Sequence, residues 1–598
     1  MPTIFASEGY EPLGLDEIRI AQIKCASSED EDVYCHLLHV PRNAPGQYQA
    51  LSYAWGPPHE RGLGRIHLEG ILHPVTRTME IALRKLRRKH GQSPLTIWID
   101  ALCINQNDDE EKCEQVEMMR TIYQRATEVS IWLGPEDWSP RSDLAWRLIK
   151  DLYHCPRELN SLSRIIQPFR QEEFDALNRF FRRDYFWRIW VVQEVACATN
   201  ATVYYGSDSM PWSGLVEICD KLSDARAFLR RVIYHDQPAS LFSLMTGGPK
   251  NLILSRGSTL PLSEANAPSL LDLLSTHMSK GSTLQHDKVY GIVGISADRD
   301  SFGKIDYSRS VRETYIHTAR HIISTTGSLN VICIQQNDDN VHGLPSWDTD
   351  WERRNLFPAH RVVSLRYRVP EFAAAGSSQS EASFAHNDTV LIAAGFVIDK
   401  IATVSDPLYV YGPESDVLPT LEKFHNWWNI FIDNVGSTSE DVDVFQRTFV
   451  GGAWAPRYSE GEFKEDKTQR LALFFGLMER LLPHLAEVSP KLPPIAPDPV
   501  DDEMLEKRER AMVSAAALRM HAKRIVISER KLAGLAPQLA EVGDEIAVLL
   551  GCDFPVVLRE VDGRCELIGE VYADSIMNGE AMDDLKSGKY QKRYFEIH

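Results

Sequence analysis

The chain has 598 residues, of which 43% are hydrophobic and 25% are charged, proportions that are ordinary for globular proteins. This length exceeds what a single hydrophobic core supports, and it predicts roughly three or four domains. The net charge of −19 argues against sequence-independent binding to nucleic acid or to anionic membranes, because both require concentrated positive charge.

Several classes of protein are disfavoured by what the sequence lacks. Its start, MPTIFASEGYEPLGLDEIRI, has no basic segment followed by an apolar stretch, as a secretory signal peptide has. No apolar run approaches the ~18–20 residues that span a bilayer. The ten cysteines are scattered without a CxxC pair, which predicts neither a disulfide framework nor a zinc site. We therefore expect a soluble, reduced, cytoplasmic protein without a bound metal.

The first hundred residues predict strands followed by a helix. Ile18–Ile23 and Val33–Val40 alternate in the manner of edge strands, and Gln49–Trp55 follows as a core strand. Apolar residues at a spacing of three to four predict a helix over 75–90 that stops at Gly91. The basic run RKLRRKH at 84–90 then forms the last helical turns, where positive charge is favoured by the helix dipole.

Strands and helices continue to alternate as far as residue 205. Leu95–Ile104 and Val129–Leu133 are short apolar runs typical of buried strands, and Ala201–Tyr205 is a further strand. The helices between them include one capped by Asp108 or Asp109. This order predicts a parallel sheet covered by helices, with ligands at the carboxyl ends of its strands. Neither a dinucleotide fingerprint nor a phosphate-binding loop occurs.

The remaining chain divides by composition. We predict a mostly helical accessory region at 241–400, a helical region of unclear role at 401–484, and a Pro- and Asp-rich linker at 485–503. Alternating apolar segments and Gly-Asp turns over 504–598 predict a helix and a small β-rich domain. His317 and His321, one helical turn apart, lack a third ligand and favour a structural role.

Glu194 is the most informative residue, because it lies inside the apolar run FWRIWVVQEVACA at 186–198. Burying a carboxylate without a partner costs roughly several kcal/mol. We therefore expect Glu194 to have a partner, either within the protein or in a ligand. One explanation is an internal ion pair with Arg182, Arg183 or Arg188. The other is a carboxylate held in a ligand cleft beside Trp190, which is one helical turn away.

Two strand exits carry candidate ligand-binding residues. Asp100, Cys103, Asn105 and Gln106 lie in or just after the second buried strand, where amide groups could bind sugar hydroxyls or form turns and caps. Ser52, Tyr53 and Trp55 end the first strand, and the alternation of a strand prevents all of them from reaching one ligand. Cys103 is a poor nucleophile candidate because no neighbouring basic residue would lower its pKa.

Three blocks of the sequence resemble the fungal HET (heterokaryon incompatibility) domain. They are YQALSYAWG at 48–56, the forty-residue stretch at 95–134 and RDYFWRIWVVQEV at 183–195, in that order and spacing. DKVYGIVGIS at 287–296, LPSWDTDW at 344–351 and the segment at 542–580 resemble the sequences that follow that domain. The resemblance predicts an N-terminal HET domain over 1–240, with a role in nonself recognition and programmed cell death.

The HET domain is in turn similar to the Toll/interleukin-1 receptor (TIR) domain, a flavodoxin-like α/β fold. Trp190 and Glu194 repeat the Trp-x-x-x-Glu spacing of the helix that carries the catalytic glutamate of TIR enzymes that cleave NAD. The resemblance therefore implies that Glu194 is catalytic and that NAD is a substrate rather than a cofactor. It implies substrate contacts for the strand-exit residues and for Trp190. The segment from Gly134 to Arg183, absent from TIR enzymes, departs from that pattern.

Two functions from different classes follow. The first is an NAD glycohydrolase that becomes active when HET domains self-associate. The second is a signalling scaffold without enzymatic activity, in which the HET domain binds its own kind or a protein recognition partner and Glu194 pairs with an arginine. A nucleotide sensor that does not hydrolyse its ligand is a third, more distant interpretation.

Overall fold

The computed structural model divides the chain into two compact units, Met1–Ser310 and Val311–His598. It describes residues 10–14, 16–43, 48–56, 61–135, 141–234, 238–252, 267–334, 341–352, 372–409, 417–449, 451, 480 and 520–598. The first unit therefore extends well beyond residue 240. The domain limits predicted from the sequence, including the HET domain over 1–240, stay predictions.

The first unit contains one mixed sheet of nine strands among the described residues. The strands are β1 (Glu17–Ile23), β2 (Tyr34–Pro41), β3 (Gln49–Tyr53), β4 (Arg61–Leu68), β5 (Ile71–Thr76), β6 (Leu95–Trp98), β7 (Val129–Trp132), β8 (Ala201–Tyr205) and β9 (Asp208–Pro211). Their order across the sheet is β5-β4-β2-β1-β6-β3-β7-β8-β9. The predicted α/β class is confirmed, although the outer strands make the sheet mixed rather than purely parallel.

The centre of the sheet is parallel. Strand β3 pairs in parallel with β6 on one side and β7 on the other, and β7 pairs in parallel with β8. These strands are buried, in keeping with their continuous apolar sequences. The chain passes from β3 to β6 and then to β7 on the opposite side of β3. The strand order therefore reverses at β3, the position where open α/β sheets bind ligands.

Two details of the predicted strands were wrong. The strand predicted over Leu95–Ile104 ends at Trp98, because the backbone N–H groups of Leu102 and Cys103 both turn back to the Ile99 carbonyl. In addition, β4 and β5 form an antiparallel hairpin that was not predicted. Its sequence is short and interrupted by glycine and proline, so no strong alternation marks it.

Two predicted helices, the one over 75–90 and the one capped by Asp108 or Asp109, are present among the following described helices of the first unit. The described helices are α1 (Arg77–Lys89), α2 (Asp100–Cys103), α3 (Asp109–Arg125), α4 (Ser142–His154), α5 (Leu159–Ile165), α6 (Gln171–Phe181), α7 (Trp190–Ala196), α8 (Trp212–Asp224), α9 (Arg226–Val232), α10 (Pro238–Thr246), α11 (Leu270–His277), α12 (Asp287–Val293) and α13 (Arg299–Phe302). The Asp108 side chain caps α3 by accepting hydrogen bonds from the N–H groups of Glu110 and Glu111. None of the described helices combines the length and apolar character that crossing a bilayer requires.

The basic run at the end of α1 is used within the molecule. Arg84 and Arg87 donate hydrogen bonds to backbone carbonyls of the acidic loop at 29–32, and Lys85 forms an ion pair with Glu29. These contacts join three basic side chains of the run to the loop, which agrees with the predicted structural role of the run at a helix end.

The second unit contains a β-barrel together with helices. Its strands are β10 (Ala382–Ala385), β11 (Val390–Val404), β12 (Lys523–Ser528), β13 (Ala533–Pro537), β14 (Glu545–Leu549), β15 (Val556–Val561), β16 (Arg564–Glu570), β17 (Tyr572–Ala573) and β18 (Arg593–Ile597). Its helices are α14 (Val311–Thr326), α15 (Val417–Asn434), α16 (Ser439–Phe449) and α17 (Glu580–Lys586).

Strand β11 organises this barrel. It pairs with both β14 and β18, and β14, β15, β16 and β18 pair in succession, so the pairings close into a ring. The region predicted to be helical therefore ends in strands, because the β-branched and apolar run of Val390–Val404 pairs along its whole length. The predicted linker at 485–503 and most of the predicted helix at 504–522 lie outside the described residues.

Candidate active site

Glu194 is buried at the carboxyl end of the central strand β3. It lies in α7, which packs against β3, and it is 3% exposed. The Ser52 hydroxyl, itself fully buried at the end of β3, donates a hydrogen bond of 2.5 Å to Glu194 Oε2. The hydroxyl of Tyr185 lies 2.8 Å from Ser52 Oγ on its other side. The buried carboxyl group is therefore partnered by a chain of two hydroxyl groups.

The surroundings of Glu194 shift its protonation towards neutral pH. Burial raises the pKa of its carboxyl group to about 7, against the opposing effects of the Arg188 charge and the Ser52 hydrogen bond. The carboxyl group is consequently divided between its protonated and ionised forms near pH 7. A carboxyl group poised in this way is characteristic of catalytic sites, although structural networks also produce such shifts.

The predicted ion-pair partners of Glu194 have other contacts. Arg182 is exposed, and Arg183 donates a hydrogen bond of 2.5 Å to the Leu133 carbonyl. Arg188 donates to the Tyr53 carbonyl, while its charge lowers the pKa of Glu194 from a distance. Within the described residues Glu194 thus forms no direct ion pair, and hydrogen bonding supplies its partner.

Asp100 and Trp55 form a second part of the site. The Trp55 indole donates a hydrogen bond of 3.0 Å to Asp100 Oδ2, and the Ala101 N–H donates to Oδ1 at 2.8 Å. Burial raises the pKa of Asp100, and the Arg188 charge opposes this rise. Gln106 donates from its side chain to the Asp100 carbonyl at 3.0 Å, so it adjoins this group.

Other predicted ligand residues are engaged elsewhere. The Tyr53 hydroxyl contacts the Met79 sulfur in α1, so Tyr53 reaches the site through its backbone carbonyl. Cys103 is buried in α2, accepts from the Ile99 N–H and has a pKa raised by burial to about 12. Asn105 accepts from the Asn107 N–H, as in a turn. The predicted positions of Cys103 and Asn105 depended on a longer second strand than the chain forms.

Trp190 is half-buried and held by a residue far along the sequence. Its indole donates a hydrogen bond to the carboxyl group of Asp287, at the start of α12. Asp287 also accepts a hydrogen bond of 2.8 Å from the Tyr307 hydroxyl. The same helix approaches α7 closely, because a Cβ atom at Gly291 would lie 3.1 Å from Ile189 Cγ2 and 3.5 Å from Trp190 Cδ2.

Sequence reasoning missed two contributors to the site. Tyr185 looked like one more aromatic core residue in its run, and only its contact with Ser52 reveals a polar role. Asp287 lies within the region predicted to be mostly helical, and nothing in the sequence connects it with Trp190. Among the described residues, no group of three or more His, Cys, Asp or Glu side chains could hold a metal ion.

Comparisons with known proteins match two regions of the chain. Residues 48–194 match the family model described as Heterokaryon incompatibility protein (HET), and residues 503–591 match the Het-6 beta-barrel domain. The chain is 26% identical, over 96% of its length and 96% of the relative's, to Heterokaryon incompatibility protein 6, OR allele, of Neurospora crassa. No solved structure matches the chain.

Proposed function

We propose that the chain acts in nonself recognition and in the programmed cell death that follows, because it matches the HET and Het-6 beta-barrel family models and is similar to a heterokaryon incompatibility protein. The similarity to a heterokaryon incompatibility protein of Neurospora crassa extends over 96% of both chains, which supports a shared type of function. Within this chain the match to the HET model at 48–194 precedes the match to the Het-6 beta-barrel model at 503–591.

The chemistry we propose is cleavage of NAD between nicotinamide and ribose. The nicotinamide leaves as a neutral base, so no acid is needed to protonate it, whereas the ribosyl carbon develops positive charge. A carboxylate beside that carbon stabilises the charge, as one carboxylate of a glycosidase does. The observation that carries the proposal is Glu194, held by Ser52 at the carboxyl end of β3.

The shape of the sheet supports a TIR-like domain. Its parallel strands run β6-β3-β7-β8, and numbering them along the chain gives the order 2-1-3-4. Flavodoxin-like sheets begin with this order and bind ligands where it reverses, between the first and third strands. Ser52 and Glu194 lie at that position.

The groups around Glu194 have distinct roles in this proposal. Ser52 and Tyr185 fix the orientation of the carboxylate, and Trp55 fixes Asp100. The two carboxyl groups outweigh the one guanidinium, that of Arg188, and together favour a ligand with a positively charged ring. NAD carries such a ring and is the proposed substrate, and we propose that Gln106 and Trp190 contact the rest of it.

The burial of the carboxyl group supports activation by assembly. Glu194 is 3% exposed and Ser52 is fully buried, so the resting chain keeps its carboxyl group away from solvent. Self-association of HET domains in the cytoplasm, or the binding of a recognition partner, opens the site in this proposal. A cell-killing activity that stayed open in every chain would not be compatible with growth.

The same burial favours a second candidate function, a signalling scaffold without turnover. In that case the hydrogen bonds of Ser52, Tyr185 and Glu194 serve only to join α7 to β3. The HET domain then provides a surface for homotypic assembly, and the NAD-cleaving chemistry is absent.

NAD loss from the full chain tests these alternatives. The chain is assayed at high concentration and as an enforced dimer, beside Glu194→Gln and the exposed-site control Glu114→Gln. We expect turnover in the parent and in Glu114→Gln, and none in a folded Glu194→Gln. Equal background rates of NAD loss in all three proteins, with assembly demonstrated, would reject the hydrolase and support the signalling scaffold.

A further inference from the structure

Three residues at the end of β3 each form a hydrogen bond with a different charged side chain. Ser52 donates to Glu194 at 2.5 Å, the Tyr53 carbonyl accepts from Arg188, and the Trp55 indole donates to Asp100 at 3.0 Å. One guanidinium and two carboxyl groups therefore share the exit of one strand. With both carboxyl groups ionised, these three side chains carry one net negative charge.

The charge of Arg188 acts on both carboxyl groups. It opposes the burial that raises the pKa of Glu194 and the pKa of Asp100, in each case as the strongest opposing effect. A guanidinium is a planar, delocalised cation that is weakly hydrated compared with an ammonium group. A pyridinium ring is also a planar, delocalised cation. A site that accommodates a guanidinium electrostatically therefore also suits a pyridinium.

Backbone contacts hold the segment that carries Arg188. The Ile189 N–H donates to the Gly281 carbonyl at 2.9 Å, and the Gly281 N–H donates to the Trp187 carbonyl at 2.6 Å. The Lys280 side-chain nitrogen Nζ donates to the Phe186 carbonyl at 2.5 Å. These bonds flank Arg188 on both sides and leave its half-buried side chain to reach the strand exit.

We propose that the Arg188 guanidinium occupies the subsite for the positively charged ring of the ligand, which enters by displacing it. This inference rests on the proposed function, because NAD is the ligand it considers. Glu194 is 3% exposed, so any ligand that reaches it must replace a group now covering it. Arg188 is a charged and partly exposed group at the same strand exit, where it donates to the Tyr53 carbonyl. It is thus an internal substitute for the ligand and keeps the resting site closed.

Binding to full-length variants tests the proposal. The ligands are a carbocyclic NAD analogue, which keeps the pyridinium but cannot be cleaved, and NADH, whose nicotinamide ring is uncharged. Arg188→Met and Arg188→Gln remove the charge, and glutamine can still donate to the Tyr53 carbonyl. Arg188→Lys keeps the charge, and Arg182→Met is the exposed control. Melting curves establish that each variant is folded.

We expect both neutral variants to bind the analogue about tenfold more tightly than the parent, with an increased preference over NADH, since an internal positive charge no longer competes with the ring. Arg188→Lys and Arg182→Met should bind like the parent. Weaker or unchanged binding by the folded neutral variants, equal behaviour of lysine and glutamine, or no binding by any variant would overturn the proposal.

Turnover measured in the same variants separates this proposal from the proposed function. Tighter analogue binding without NAD loss in any assembled variant would retain the subsite and reject the hydrolase. Glu194-dependent NAD loss with unchanged analogue binding would retain the hydrolase and reject the subsite.

Discussion

At the scale of single residues, Glu194 shows how a chain tolerates a buried acid. Removing a carboxyl group from water raises its pKa, and the Ser52 hydroxyl and the Arg188 charge recover part of the lost solvation. The balance leaves the pKa at about 7 rather than far above it. Glu194 therefore retains an ionised fraction at neutral pH, which the proposed chemistry requires.

The first prediction concerns stability and pH. A folded pKa of about 7 against an ordinary value of 4.5 means that the folded chain binds this proton more tightly than the unfolded chain. The stabilisation is complete below the unfolded pKa and is lost as the pH rises towards 7. Between pH 5.5 and 8 the loss is about 2 kcal/mol. Urea unfolding should show the stability of Glu194→Gln rising by that amount relative to the parent over this range. Parallel pH dependences would contradict the shifted pKa.

The second prediction concerns the rate of NAD loss. Only ionised Glu194 stabilises the ribosyl cation, so turnover should rise about tenfold per pH unit below its pKa and level off above it. The pKa of about 7 belongs to the closed, resting site and places the bend at or below neutral pH, because opening the site to solvent lowers the pKa. A pH profile of kcat for the assembled chain measures this. A rate that falls as the pH rises towards 7 would exclude ionised Glu194 as the group that supports turnover.

At the scale of secondary-structure elements, α7 depends on a helix outside the matched family region. The family match ends at residue 194, but Asp287, the first residue of α12, accepts a hydrogen bond from the Trp190 indole. Gly291 allows the two helices to approach, since a side chain there would meet Ile189 and Trp190. The site is therefore built by the whole first unit.

The third prediction follows from this close approach. Gly291→Leu should destabilise the first unit by about 1–3 kcal/mol, because the added atoms force α7 and α12 apart. It should also reduce NAD loss by displacing Glu194 from Ser52. Urea unfolding and the NAD assay measure the two effects. Ala297→Leu, at an exposed position close by, should change stability by no more than about 0.5 kcal/mol. Equal stability of both variants would show that the helices are not tightly packed.

At the scale of the whole molecule, the C-terminal barrel recruits a strand from far earlier in the chain. The matched barrel region begins at residue 503, yet β11, at Val390–Val404, joins β14 to β18 and closes the ring. Its residues Phe396, Ile398 and Ile401 belong to the buried core of that barrel. Without β11, the barrel has two open edges and an incomplete core.

The fourth prediction tests this dependence. A fragment of residues 503–598 should show no cooperative thermal unfolding, whereas residues 311–598, the whole second unit, should unfold cooperatively. Circular dichroism and calorimetry distinguish the two. A stable, cooperative barrel from 503–598 alone would show that the pairing with β11 contributes little to its stability.

Local patterns predicted most elements and the most informative residue. Continuous apolar runs marked β3, β7 and β8, apolar spacing marked α1 and α3, and a lone acid in an apolar run marked Glu194. Local patterns did not show that the strand before Cys103 and Asn105 ends at Trp98, because an apolar sequence does not reveal where a strand turns into α2. They also failed at Tyr185 and Asp287, whose partners are distant in sequence.

By itself the sequence determined the α/β class of the first unit, the resemblance to the HET domain and the presence of a buried carboxyl group that requires a partner. These follow from local periodicity and from the cost of burying charge, which act within a few residues. The tertiary structure decided which partner Glu194 has, because Ser52 and Arg188 reach the same place only when β3 and α7 pack together. It also decided that α12 and β11 complete units whose matched sequences do not contain them, since contacts between distant segments leave no local pattern.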